Sequence, residues 1–342
     1  MDKKKFKKVL IFMPFIGIGG VEKNLFIISN FLSKKIKDIS ICTSSTKYKN
    51  KFLKNVKFIS PKKVPENLNI RIKYLICLFM LFKLFIKDRN FVVISFQANI
   101  YCILLCKIFN IRIIIRSNSS PVGWYHNTLK KFIYRKIVST ADEVIVNSSE
   151  FKNQMERRFN IKVNKIYNPL NKNEIKRKSS SKFKNSFFQK KYLNIINVGR
   201  LVDQKDQITF LKSLNLIKKK IFFKALIIGN GERKNYLINY ILQNDLGGKV
   251  KIIDFKENPF TYLNKADVMI HTAKFEGLPN VLLEALSLKK YIISTNCPTG
   301  PSEILNKGKG GDLVKIGDYR NIANKLIRFS QKKTDKKNKF WL

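Results

Sequence analysis

Two carboxylates with seven residues between them, Glu276 and Glu284, fall in the segment Phe275-Glu276-Gly277-Leu278-Pro279-Asn280-Val281-Leu282-Leu283-Glu284-Ala285-Leu286. The apolar run Val268–His271 ahead of it predicts a strand, and Pro279-Asn280 predict a helix start whose free N–H groups attract anions. Glu276 is then presented beside that helix end, and Glu284 lies about one turn into the helix. Carboxylates accept hydrogen bonds from sugar hydroxyls. The bland alternative is a solvated loop acid followed by a helix-surface acid.

A second segment, Asn197-Val198-Gly199-Arg200-Leu201-Val202-Asp203-Gln204-Lys205-Asp206, follows another predicted strand. Arg200 offers a planar fork suited to phosphate oxygens, and Lys205 supplies a point charge a few residues on. In so lysine-rich a chain a surface turn is the competing explanation. A third loop, Gly17-Ile18-Gly19-Gly20-Val21-Glu22, would let backbone N–H groups approach an anion at a helix N-terminus. It is not GxGxxG, and no well-placed acid follows to hold a ribose, so a dinucleotide fingerprint is weak; a tight turn without ligand is the alternative.

These loops need strands to end where they begin. Val9–Phe15, Val92–Phe96, Arg112–Arg116 and Val144–Asn147 read as short buried strands, with helices at Glu22–Lys35, Ile72–Ile86, Tyr101–Phe109 and Asn127–Val138. After Asn168-Pro169 comes a polar, Ser-rich, charged stretch, and then the alternation restarts. Strands are predicted at Leu193–Val198, Phe222–Ile228, Val250–Asp254, Val268–His271 and Tyr291–Ser294, with helices at Ile208–Ile217, Glu232–Leu242 and Val281–Leu288. Two βαβ series imply an α/β protein of two doubly wound, Rossmann-like domains facing across a cleft, with ligands at the carboxyl ends of strands. The expected division is an N-terminal acceptor-binding domain over 1–170, a basic linker over 171–192, a C-terminal domain over 193–330 and a basic tail over 331–342.

The 342 residues include 68 Lys+Arg and 23 Asp+Glu, a net charge of +45. Hydrophobic residues at 44% exclude a wholly disordered basic chain. Such charge suits a polyanion or an anionic membrane surface. Only 12 of the basic residues are Arg, however, and the abundance of Lys, Ile, Asn and Phe also fits AT-rich codon bias. Net charge is +24 over 1–170, +7 over 171–192 and +14 over 193–342, so electrostatic attachment is expected in the first half and the linker. Cys42, Cys77, Cys102, Cys106 and Cys297 form no CxxC pair and read as free core thiols in a reducing compartment. With two histidines, His126 and His271, a zinc centre or a His-dependent nucleophile is hard to assemble. The start, MDKKKFKKVLIF, reads as a first strand rather than a signal peptide, and the longest apolar stretch, Tyr74–Phe82, is too short to span a bilayer.

GRLVDQKD, the GNGE turn at Gly229–Glu232, FKENPFTYLNKADV at Phe255–Val268, the Glu276/Glu284 pair and CPTGPSEIL at Cys297–Leu305 together resemble the retaining glycosyltransferases of family 4, glycosyl transferases group 1 with the two-domain GT-B fold. The likeness is strong over about 193–330 and looser over 1–170, where GIGGVEKNL and IYNPL carry it. The resemblance implies that the second domain binds a nucleotide sugar and that Arg200 and Lys205, beside Gly199, hold the donor pyrophosphate and stabilise the leaving nucleotide. It implies that Glu276 lies near the transferred sugar, with the segment Gly277, Leu278, Pro279 and Asn280 beside it, whose backbone N–H groups come from all but the proline, and that Glu284 bonds the ribose. Phe255 and Lys256 would lie by the base; Gly19 and Gly20 would close over the phosphates.

Transfer of a hexose or N-acetylhexosamine, most readily from a UDP sugar, to a lipid-linked or polysaccharide acceptor follows as the implied activity. No cofactor and no metal is expected: the chain has no D-x-D triplet, and an Arg/Lys pair with a helix dipole can stabilise a diphosphate leaving group. Two departures stand out. Many relatives carry a histidine where this chain reads Arg116-Ser117-Asn118-Ser119, so Asn118 takes its place and cannot carry charge. Relatives also often run on into a helix that crosses back to the first domain, so the chain is expected to be shortened after QKKTDKKNKFWL.

Ile72–Ile86, with Arg71, Lys73, Lys83 and Lys87, suggests an interfacial helix on anionic lipid, or else a buried helix with lysines at its edge. The family resemblance favours the first, placing the protein in the cytoplasm, peripheral on the inner face of the cell membrane. Two rivals are a non-catalytic glycan- or nucleotide-sugar-binding relative and a basic nucleic-acid-binding protein. Against the latter, Arg is scarce and no RNP, zinc-finger or KH signature is present, so no nucleic-acid partner is expected.

Overall fold

A computed structural model of the chain describes residues 8–338 except 18, 63, 66, 119–127 and 182–186, with backbone alone over 334–338. The chain divides into two compact units, Met1–Pro169 and Leu170–Leu342. Each is built on one parallel sheet with helices on both faces.

The first unit runs β1 (Lys8–Phe12), α1 (Gly20–Ser33), β2 (Asp38–Cys42), β3 (Lys57–Ile59), α2 (Ile70–Lys87), β4 (Val92–Ser95), α3 (Asn99–Ile108), β5 (Arg112–Arg116), α4 (Thr128–Val138), β6 (Glu143–Val146), α5 (Ser149–Phe159) and β7 (Asn164–Lys165). Its strand order is β3-β2-β1-β4-β5-β6-β7. Strands buried on both faces need apolar residues at every position, which is why they read as continuous runs. Along β1, Leu10 and Phe12 enter the core shared with α2 to α5, while Val9, Ile11 and the following Met13 enter the core shared with α1. Helix boundaries follow local chemistry. The Ser148 hydroxyl accepts from the Phe151 N–H at 3.2 Å to start α5, and Asn160, left-handed at φ 49°, ends it.

The second unit runs α6 (Lys172–Ser179), β8 (Leu193–Val198), α7 (Gln207–Ile217), β9 (Phe223–Ile228), α8 (Lys234–Gln243), β10 (Val250–Ile253), α9 (Phe260–Lys265), β11 (Val268–His271), α10 (Asn280–Ser287), β12 (Tyr291–Thr295), α11 (Pro301–Ile304), β13 (Asp312–Val314) and α12 (Tyr319–Asn338). The strand order β10-β9-β8-β11-β12-β13 reverses direction between β8 and β11, the switch point where doubly wound sheets place ligands. Ile195, Ile227 and Ile270 face α7, α8 and α12, and Ile196, Leu226 and Met269 face α6, α9 and α10.

Two expected boundaries differ. The stretch 171–192 is not a free linker: Ile175 of α6 and Phe188 are buried in the second unit's core, and the Asn258 amide donates to the Lys178 carbonyl at 3.0 Å. Four basic residues and the Ser run mask the single apolar anchor of the helix, Ile175. The expected tail from 331 continues α12 as far as Asn338, and residues 339–342 lie outside the described residues, as do Ile18, Ser119, His126 and Asn127 of the segments discussed above.

Candidate active site

β8, β11 and β12 are neighbours in the second sheet, so the loops that leave their carboxyl ends converge. After β8 the chain makes a 3₁₀ turn over Asp203–Lys205 that stitches to the loop after β11. Lys274 N–H donates to the Gln204 carbonyl at 2.8 Å, the Gln204 amide to the Phe275 carbonyl at 2.8 Å, and the Thr272 hydroxyl to the Lys205 carbonyl at 3.0 Å. Lys274 also pairs with Asp203 at 2.7 Å. The two loops therefore behave as one piece.

Glu276 is buried, 8% exposed, and its Oε1 receives both the Lys205 ammonium and the His271 Nε2, the latter at 3.0 Å. Burial alone would raise this carboxyl. The Lys205 charge and the His271 hydrogen bond outweigh it and hold the group down at about 2. Cys297, from the loop after β12, is pushed up to about 12 by burial and by the Glu276 charge, so its thiol stays neutral.

Residues after β12 fix the Glu276 backbone. The Thr299 hydroxyl donates to the Glu276 carbonyl, the Thr295 hydroxyl to the Ala273 carbonyl at 2.6 Å, and Gly300 packs against Gly277 and Pro279. Gly277, Leu278 and Pro279 are buried and lead into α10 at Asn280, half-buried. The N-cap of α10 is Pro279, which makes no side-chain capping hydrogen bond, so the start of the helix carries its partial positive charge beside the Glu276 loop. Glu284 is buried on α10, 4% exposed, which corrects the picture of a helix-surface acid.

Arg200 is exposed, and among the described residues its guanidinium has no carboxylate partner, only Gln204 Oε1 at 3.5 Å. Gly199 would tolerate a Cβ, which would meet the Lys205 stem at an ordinary 3.8 Å. Gly229 would not: its Cβ would fall 1.9 Å from the Gly199 carbonyl oxygen, so the GNGE turn lets β9's end press on the Arg200 loop. Phe255 and Lys256 are exposed just past β10.

In the first unit, Gly19 and Gly20 open α1 as expected, but the loop supplies its own acceptor: Glu22 Oε1 receives the Gly17 N–H at 3.3 Å. Asn118 donates to the Phe96 and Arg116 carbonyls at 3.4 and 3.3 Å, and its Oδ1 is buried with no partner among the described residues. Beside it Arg116 is buried, 3% exposed, donating to the Ile166 carbonyl and the Asn168 side chain at 3.2 and 3.0 Å, and burial lowers its guanidinium to about 10.

Sequence reasoning missed His271 and the Thr299-Gly300 brace. The available signal for His271 was one polar residue closing the apolar strand VMIH five positions before Glu276.

Residues 178–340 match the family model described as glycosyl transferases group 1. An N-acetylgalactosaminyltransferase of Campylobacter jejuni, named for action on a GalNAc-containing glycan on diphospho-undecaprenol, is 30% identical over 253 residues, covering 72% of this chain and 67% of that protein. An uncharacterized glycosyltransferase of Methanocaldococcus jannaschii is 35% identical over 223 residues, 59% of this chain, and the chain spans about half of its length, 53%. Among solved structures, Anabaena HepE in complex with UDP superposes with a TM-score of 0.75 at 16% identity over 96% of this chain and 90% of that one, a likeness of fold, GT-B. With its two Rossmann-like units, its Glu276–Lys205 site and these matches, the chain belongs to the glycosyl transferases group 1.

Proposed function

We propose that this glycosyltransferase is a retaining, metal-independent enzyme of family 4 that moves a hexose or N-acetylhexosamine from a UDP sugar to a lipid-linked or cell-surface glycan acceptor. The observation that carries the proposal is the convergence of Lys205 and Glu276 from adjacent strands at the start of α10. A leaving nucleoside diphosphate gains negative charge as its glycosidic bond breaks. Exposed Arg200, half-buried Lys205 and the helix dipole would stabilise that charge, which is the part a metal ion would otherwise play. Glu276 accepts a sugar hydroxyl, and Glu284 the ribose. Retention follows if the departing phosphate takes the acceptor hydroxyl's proton on the face it leaves. The Campylobacter relative's name supports a lipid-linked acceptor, and the UDP bound by HepE supports the nucleotide.

The acceptor is held at an anionic membrane surface. α2 buries Lys73, Cys77, Leu81 and Phe85 and turns Leu75, Phe79, Phe82 and Ile86 outward. Its neighbour α3 exposes Leu104 and Ile108, and α4, packed on α3, exposes Leu129 and Phe132. These three helices carry nine Lys/Arg and no Asp or Glu. Lys83 lies 4.4 Å from the Phe79 ring and Lys136 5.6 Å from that of Phe132, so cationic tips accompany exposed apolar stems. Among the described residues no helix is long and apolar enough to cross a membrane.

Screening nucleotide sugars for thermal stabilisation tests the donor, since a ligand bound only by the folded state raises its stability. A UDP-hexose or UDP-N-acetylhexosamine is expected to respond; a response confined to GDP or ADP sugars would overturn that assignment.

A further inference from the structure

We propose that His271 is a positioning residue that, with Lys205, anchors Glu276 through one carboxylate oxygen and so reserves the other for a hydroxyl of the donor sugar; this rests on the proposed role of Glu276.

Both partners of Glu276 converge on Oε1. Among the described residues Oε2 has no hydrogen-bond partner, and it is not one of the sealed polar atoms of the interior. A carboxylate held by Lys205 alone would pivot about a single contact on a flexible stem. His271 supplies the second, rigid contact: it ends β11, is 4% exposed, and is fixed at its far side by Ser294 of β12, whose Oγ lies 3.1 Å from Nδ1. His271 and Ser294 face each other in the register of the two strands, so the ring's setting is determined by the sheet.

The hydrogen-bond pattern fixes the proton on the side that matters. Glu276 is ionised and accepts only, so Nε2 carries a hydrogen. Ser294 Oγ also lies 3.0 Å from the Thr295 carbonyl. If the hydroxyl donates there, Nδ1 donates to Oγ and the ring is cationic; if it donates to Nδ1, the ring is neutral. Either arrangement keeps Nε2–H on Glu276. The groups facing this carboxylate are Lys205 from the loop after β8, His271 from β11 and the neutral Cys297 thiol from the loop after β12. Losing the His271 donor leaves burial opposed by Lys205 alone, so the glutamate protonates at higher pH.

The chain has two histidines, so ring-nitrogen spectra of ¹⁵N-histidine-labelled protein, with His126→Gln for assignment, report His271 directly. The expected spectrum shows a hydrogen on Nε2 whose ¹H and ¹⁵N shifts report its bond to Glu276 and move in Glu276→Ala. Transfer rates with the donor found in the screen supply the functional half. His271→Phe is expected to lower kcat/KM about 10- to 100-fold and to shift the acid limb of its pH profile upward. His271→Gln, which restores an N–H donor, recovers most of both. Ser294→Ala, which keeps the imidazole and needs no core refilling, gives a smaller loss in the same direction. An unprotonated Nε2, or a folded His271→Phe protein with wild-type rate and pH profile beside an inactive Glu276→Ala, overturns the proposal. Full activity of Glu276→Ala overturns the underlying assignment of Glu276 and the proposal with it.

Discussion

Gly300 packs backbone to backbone on Gly277: a Cβ on Gly300 would lie 2.6 Å from the Gly277 carbonyl oxygen and 2.6 Å from Pro279 Cδ. Its φ of 92° is also one that L side chains rarely adopt. Gly300→Ala is expected to cost about 1–3 kcal/mol and to displace the Glu276 loop, so turnover falls even where the protein is fully folded. Urea denaturation and kcat measured on the same preparation check both.

Glu276→Gln leaves Lys205 and His271 facing a neutral group in a buried site. The native carboxyl is held at about 2, against an ordinary 4.5, by charges that outweigh burial. A depressed folded-state value means its contribution to stability is complete above the ordinary value and is lost as pH falls toward the folded one. The wild-type advantage over Glu276→Gln, read from urea midpoints, is therefore expected to be constant at neutral pH and to shrink between pH 4.5 and about 2. An advantage that grows on acidification would contradict the ion-pair account.

Arg200 offers the opposite case. Exposed, and with no carboxylate partner among the described residues, it contributes little to the fold. Arg200→Ala should change stability by less than about 0.5 kcal/mol while lowering kcat about 100-fold or more. Thermal melts beside steady-state rates separate the two effects.

For the proposed lipid-facing surface, replacing Lys130 and Lys131 of α4 by Ala is expected to weaken partitioning into phosphatidylglycerol-containing vesicles about 10-fold or more at low salt, at about 1 kcal/mol per residue. Phe79→Glu on α2 should act in the same direction by opposing both burial and charge. Vesicle co-sedimentation over a salt series measures this, and unchanged binding in all variants would remove the lipid surface as partner.

The central strands were legible because a parallel strand covered on both faces has to be apolar throughout, as LNIINV and VMIH nearly are. β2 and β3 were not: DISIC and KFI are short, and each has a charged first residue. α6 was lost in its own charges, since a helix with one buried isoleucine and five ionised residues resembles a connector. The candidate residues Arg200, Lys205, Glu276 and Glu284 could be named from motif spacing. Their pairing could not. Lys205 and Glu276 are 71 positions apart and meet only because β8 and β11 are neighbours. The His271–Ser294 relation depends likewise on the register of β11 with β12.

The pairing of β8 with β11 also bears on assembly. β8, β9 and β10 form one half of the second sheet and β11, β12 and β13 the other, and the halves pair where Val268 and Met269 lie beside Ile195 and Ile196. The Lys205–Glu276 pair straddles this seam. Long-range contacts of this kind close after local ones during folding, so the pair forms only when the halves have docked, and a chain with either half loosened presents no partly built version of it. Formation of the Lys205–Glu276 pair is thereby coupled to completion of the sheet.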